Sequence, residues 1–250
     1  GAYAQLESSA CIERMSIWGE MRSDNIVAGN NASTDILNIT KENIMQTNSY
    51  MSWACFYDVI NRANTVLEFA PLVAEKDPNY RVSELYANIA EAKAIRALSY
   101  FYLIRAYKDV PYVTIPSTDD TNEFVVPAEK FENILDSLII DLEEVRAYAV
   151  NKYTNKKANT ARFTRNGIDA LLADLYLWDG DWDNCIAAVD RIVANRVEEY
   201  EEILEKEPNT TLVLFNNEYP LISNLSPGSG NLGNAYNEIF GRGNSFETLF

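Results

Sequence analysis

What chemistry this chain can do is narrowed first by a residue type it lacks: none of its 250 residues is histidine. Histidine is the usual general base near neutral pH, the partner of serine and cysteine nucleophiles and the commonest transition-metal ligand. Three cysteines, Cys11, Cys55 and Cys185, stand far apart. They have neither the CxxC spacing of a zinc site nor the even count of a disulfide framework, so buried free thiols are the expected state. Carboxylates do come in pairs, Glu143-Glu144 and Asp181 with Asp183. Their settings read as a solvated helix face and a turn, not as the two carboxyls of a glycosidase. No catalytic residue, cofactor or metal is expected, and a hydrolase is the weakest of the readings considered.

Binding chemistry is better supplied. Fifteen tyrosines and four tryptophans provide amphipathic rings that pack cores, stack on sugars or anchor interfaces. The net charge of −16 argues against nucleic acid and against an anionic membrane surface, both of which would repel the chain. At 47% hydrophobic and 12% aromatic residues, the composition is that of a packed globular protein.

The elements that must position these rings are organised around residues 88–111. From Ala94 to Tyr107 only Arg96, Ser99 and Arg105 interrupt an apolar run. A helix apolar on nearly every side is enclosed by other helices, and this run is too short and too polar to span a bilayer. Helical spacing predicts a first helix over 2–20 and a second over 43–69, broken near Asn48 and closed by Pro71. Asp77-Pro78 reads as an N-cap and first helical position, giving a helix over 78–107. An extended segment follows to about residue 120, and Pro127 is expected to open the next helix. Residues 151–159 read as a Lys/Asn loop, and Thr164 as the N-cap of a helix over 165–177. A return helix over 182–195 turns Ile186, Val189, Ile192 and Val193 inward. A short strand at 211–215, a polar loop at 226–234, a short helix at 235–240 and the start of a further element at 246–250 complete the chain. No strand pairing is expected before residue 210. The fold class is all-α.

Helix, Asp-Gly-Asp-Trp turn, helix, with Ala173, Tyr176, Leu177, Gly180, Trp182 and Ala187 at the required spacing, is the pattern of a tetratricopeptide-like hairpin. One such hairpin cannot bury its own face, so others must stack on it. Four stretches, GEMRSDN at 19–25, YDVINRANTVLE at 57–68, EAKAIRALSYFYLIRAYKDVPYV at 91–113 and ALLADLYLWDGDWDNCI at 170–186, together resemble the SusD/RagB family in order and spacing. The resemblance implies an α-superhelix of tetratricopeptide-like helix pairs with long irregular loops. It also implies that residues 1–250 are the N-terminal half of a single SusD-like domain in a longer, non-enzymatic protein. Such a protein would bind an oligosaccharide at the extracellular face of the outer membrane, lipid-anchored through an N-terminal cysteine not visible in this chain. It would deliver ligand to a SusC-like TonB-dependent transporter. Cys11 lies inside a helical pattern and does not fit the lipidated position. A tetratricopeptide-like scaffold that takes a peptide is the alternative.

Sugar recognition needs a ring face to stack on and planar polar groups for hydroxyls. By position, the resemblance implies Asp24 and Asn25 in the loop after the first helix, with Asn48, Tyr50 and Trp53 in QTNSYMSW. Asp24 and Asn25 are equally legible as caps of a loop or helix end, and Trp53 also sits at helical spacing for the core. Arg22 reads as structural. Glu91, Arg96 and Arg105 could suggest a site, but Glu91 and Arg96, which the resemblance marks as a family signature, read as a polar network holding helices together. The Asn-X-Ser/Thr sites at Asn31, Asn38, Asn209 and Asn224 are chance features if the source is bacterial, as the resemblance implies.

Overall fold

The computed structural model describes residues 1–23, 26–118, 125–206, 221–222, 239 and 245–249. Among these, α-helix dominates: α1 (Ala2–Leu6), α2 (Ser9–Gly19), α3 (Thr34–Thr40), α4 (Ala54–Lys76), α5 (Val82–Tyr107), α6 (Phe131–Val145), α7 (Lys156–Ala161), α8 (Arg165–Asp179) and α9 (Trp182–Lys206). The fold is all-α, as expected, and α4 with α5 and α8 with α9 are its most closely packed pairs. Tertiary contacts divide the chain into two compact units, Gly1–Asp141 and Leu142–Phe250.

In the first unit α5 is the enclosed helix that its composition predicts. Ala90, Ala94, Ile95, Ala97, Tyr100, Phe101, Leu103 and Ile104 are all buried, together with Glu91, Arg96 and Ser99. The alanines let α4 approach closely, and each buried polar side chain has a partner. Tyr3 Oη donates to Glu91 Oε2 at 2.6 Å, Ser99 Oγ donates back to the Ile95 carbonyl at 2.9 Å, and Arg96 reaches Asn64 Oδ1 at 3.0 Å and Asp141 Oδ2 at 2.5 Å. Arg105 lies over the rings of Phe101 and Tyr102, 4.2 and 4.6 Å from their centres. The network reading of Glu91 and Arg96 therefore holds, whereas Arg105 touches only residues of its own helix in these contacts.

Helix boundaries depart from expectation where short polar residues compete with the helix. The first helix breaks in two because Ser8 adopts an extended backbone and its hydroxyl accepts from Cys11 N, capping α2. Asp77 does not open α5. Its carboxylate accepts from Asn79 N in a tight turn, and α5 starts four residues later, where the Glu84 carboxylate accepts from Arg81 N at 3.2 Å. Pro71 does not close α4, which continues through it to Lys76. Pro127 opens no helix. It precedes Ala128–Glu129 (β2), which pairs antiparallel with Val110–Pro111 (β1), a two-residue ladder the sequence did not announce. At the end of α5, Lys108 takes φ 62° and ψ −108°, turning the chain out.

In the second unit Thr164 caps α8 as expected, accepting from Gly167 N at 3.3 Å. Gly180 ends the helix with φ 81°, the left-handed conformation that glycine adopts without steric cost. The expected loop at 151–159 is partly helical, since Asn155 caps α7. The return helix α9 runs eleven residues past its predicted end at 195, to Lys206. Only Ala188 among its early apolar positions is buried; Ile186, Val189 and Trp182 are exposed, contrary to the inward placement expected of the first two. Residues 245–249 form a turn, not a strand or helix, held to α9 by Arg196. That side chain donates to the Thr248 carbonyl at 3.1 Å and lies over the Phe246 ring. The elements expected at 211–215, 226–234 and 235–240 lie outside the described residues, apart from Ile239.

Candidate functional site

The segment 48–53 is held by side chains at four successive carbonyls. Arg14, on α2, donates its Nη2 to the Ser49 carbonyl at 3.1 Å and its Nε to the Ser52 carbonyl at 2.7 Å. Trp18, one turn further along α2, donates its indole N–H to the Tyr50 carbonyl at 3.2 Å. Tyr107, at the end of α5, donates its hydroxyl to the Met51 carbonyl at 3.2 Å. From the other side, Asp35 accepts from Ser49 N at 3.1 Å and from Ser49 Oγ at 2.6 Å. These two bonds, the hydroxyl's first, hold the Asp35 carboxyl below its ordinary value of 3.8.

Asn48 is 6% exposed. Its Oδ1 accepts from Tyr50 N at 3.0 Å, capping the 3-10 turn Ser49–Met51, and its Nδ2 donates to the Asp35 carbonyl at 3.0 Å. Its amide thus shapes the loop from within. Tyr50 is half-buried, with the Arg14 guanidinium 6.0 Å from its ring centre. Trp53 remains 40% exposed. It stands at the N-terminus of α4 with its ring braced edge-on against Tyr57 at 5.9 Å and Tyr107 at 5.4 Å. Trp18 packs on the far partner, 6.2 Å from the Tyr107 ring.

The backing rings are fixed by their own hydroxyls. Tyr57 Oη donates to the Pro111 carbonyl at 2.7 Å, and burial pushes its phenol well above the ordinary tyrosine range. The Tyr107 phenol is pushed up to about 12, chiefly by burial, against the pull of Arg14. Both therefore stay protonated donors at any physiological pH. The arrangement is a rigid, partly exposed aromatic platform beside a loop rich in hydroxyl and amide groups. Such a surface can stack a sugar ring and bond its hydroxyls without forming or breaking covalent bonds.

Asp24 and Asn25 lie outside the described residues, and the neighbouring Arg22 is exposed. The structure brings Asn48, Tyr50 and Trp53 together, with Trp53 at the surface, not in the core. Sequence reasoning missed Arg14, Trp18, Tyr57 and Tyr107 as parts of the site. The only linear signal was the pair of i, i+4 spacings, Arg14 with Trp18 and Trp53 with Tyr57, each placing two side chains on one helix face.

A cleft of about 570 Å³ lies elsewhere in the first unit, lined by Lys93, Arg96, Tyr112, Ser137 and Asp141 among others. Its carboxylate is already shared, Asp141 taking Lys93 at 3.0 Å on one oxygen and Arg96 on the other. One buried polar atom, Arg96 Nε, lacks a partner there. In the second unit Glu143 takes Arg191 and Tyr176, while Asp181 accepts from the Asn184 backbone and amide. Among the described residues no cluster of three His, Cys, Asp or Glu could hold a metal ion, and no helix is long and apolar enough to cross a membrane.

Comparison with known proteins places the chain in a family. The profile of the SusD-like family described as starch-binding and associating with the outer membrane matches residues 1–177. A SusD-like protein, P38, of Formosa agariphila is 25% identical over 196 residues, covering 78% of this chain and 36% of its own length. A SusD superfamily protein of known structure from Bacteroides thetaiotaomicron aligns with a TM-score of 0.70 at 22% identity, over 79% of this chain and 46% of that one. A laminarin-binding SusD-like protein aligns with a TM-score of 0.64 at 26% identity, over 76% of this chain and 42% of that one. The chain spans less than half the length of these relatives. With a profile match running from α1 to within α8, over more than half of its length, the chain belongs to the SusD-like (SusD/RagB) family.

Proposed function

We propose that residues 1–250 form the N-terminal part of a single SusD-like domain in a non-enzymatic cell-surface protein that binds an oligosaccharide. In this reading the protein sits at the extracellular face of the outer membrane, held by a lipid on a cysteine N-terminal to Gly1. It hands its ligand to a SusC-like TonB-dependent transporter. The observation that carries the reading is the half-exposed Trp53 ring, braced by Tyr57 and Tyr107 above a loop whose carbonyls are fixed by Arg14, Trp18 and Tyr107. A platform fixed before ligand arrives loses little conformational freedom on binding. Trp53 and Tyr50 would stack on the ligand, Asp24 and Asn25 would meet its hydroxyls, and Asn48 would keep the loop in shape. Membership of a family described as starch-binding, and likeness to a laminarin-binding protein, support a glucan as the first ligand to try.

The rival is a tetratricopeptide-like scaffold or peptide-binding module. It draws on the exposed apolar row of the α8–α9 hairpin, Leu177, Trp178, Trp182, Ile186 and Val189. Calorimetric titration of the full protein with starch-derived and laminarin-derived oligosaccharides, and with a panel of unstructured peptides, separates the two. Saturable binding of a glycan is the expected result. Binding of peptides alone would favour the scaffold.

A further inference from the structure

The thiols that the sequence left isolated are brought together by the fold. Cys11 lies in the first turn of α2 and Cys55 in the first turn of α4, and both are buried. Cys55 Sγ is 3.7 Å from the carbonyl oxygen of Ala10, the residue before Cys11. The two thiols are neighbours where α2 packs against α4. This contact changes how they ionise. The neighbouring S–H donates to the thiolate when the first proton leaves, so the pair loses that proton more readily than an isolated thiol and the second far less readily. Arg14, one turn along α2 from Cys11, adds to the ease of the first step.

Position gives the pair a consequence. Cys11 precedes Arg14 and Trp18 on α2, the side chains that hold the carbonyls of the platform loop. Cys55 follows Trp53 by two residues at the head of α4. We propose that Cys11 and Cys55 are an oxidation site and form an intramolecular disulfide that staples the head of α2 to the head of α4 beside the aromatic platform. The oxidant is a small-molecule disulfide. One cysteine thiolate attacks a sulfur of that disulfide, forming a mixed disulfide and expelling one external thiolate. The second cysteine, as thiolate, attacks the protein sulfur of the mixed disulfide and expels the other. Two protein thiols are oxidised by two electrons, two protons are released to the expelled thiolates, and one external disulfide becomes two thiols. Exchange takes place before the helices close, and burial afterwards shields the bond from reductant. Cys185, on α9, takes no part. The proposal does not depend on which ligand the platform takes.

The test is to refold the full protein with oxidised glutathione, trap remaining thiols with an alkylating reagent in denaturant, and map the peptides by mass spectrometry. A Cys11–Cys55 linked peptide, with Cys185 alkylated, is the expected result; protein refolded with dithiothreitol in place of oxidised glutathione should have a thermal midpoint lower by roughly 5–10 °C. The variant Cys185→Ser should give the same linked peptide and the same shift. Alkylation of both Cys11 and Cys55 after refolding, or a linkage through Cys185, would overturn the proposal. A linked peptide with an unchanged midpoint would overturn the stapling role.

Discussion

Asp35 shows how much of the platform depends on single groups that never meet ligand. Its carboxylate takes both the backbone N–H and the hydroxyl of Ser49, and these bonds hold its folded value below the ordinary 3.8. A depressed carboxyl contributes stability that is fully present above its unfolded value and is lost as pH falls through the folded one. The loop 48–53 should therefore stay anchored above about pH 4 and loosen below it. Hydrogen exchange at the Ser49 amide, followed against pH, checks this, and Asp35→Asn should show the loosened behaviour already at neutral pH. Of the residues nominated from sequence, Tyr50 and Trp53 are now partly exposed neighbours, while Asn48 faces inward. Sequence spacing placed them on one short segment. It carried no information that Trp18 and Tyr107 would close behind Trp53, because those contacts span as many as 89 residues and depend on how α2, α4 and α5 pack.

At the scale of elements, the enclosed helix α5 was legible because its apolar residues leave no polar face, and α8 because a capping threonine and a terminal glycine bracket it. Ends were less legible wherever Ser8 or Asp77 could bond the backbone locally, since a turn and a helix cap draw on the same short side chains. The end of α5 carries strain. Lys108 sits at φ 62°, ψ −108°, a conformation that side chains with a Cβ resist. Lys108→Gly should relieve it, raising stability by about 1 kcal/mol after the added freedom of the unfolded chain is counted, measurable by urea denaturation. In the second unit the comparable point is Asp169, whose side chain is 1% exposed and takes Arg146 Nε at 2.5 Å and Arg191 Nε at 2.8 Å. Asp169→Ala removes a buried carboxylate shared by two arginines. Because both arginines retain some contact with solvent, the expected loss is about 2–3 kcal/mol, below that of a fully buried pair.

At the scale of the whole chain, a net charge of −16 and an aromatic platform on a rigid all-α scaffold favour an uncharged, hydroxyl-rich ligand over a nucleic acid or an anionic surface. The family was legible in four ordered stretches, three of which encode α4, α5 and the α8–α9 hairpin, the helices that pack most closely in pairs. The exposed apolar residues of α9 were not foreseen, because periodicity marks an apolar face without saying what covers it. The central claim is that Trp53 is a binding surface and not a structural ring. Calorimetry of the full protein with a bound glucan oligosaccharide, comparing the native chain with Trp53→Ala and checking both for unchanged helical content and thermal midpoint, tests it most directly. Loss of an exposed, centrally placed tryptophan should weaken binding by about 2 kcal/mol, roughly thirtyfold, with folding intact. Unchanged affinity in a folded Trp53→Ala variant would contradict the account.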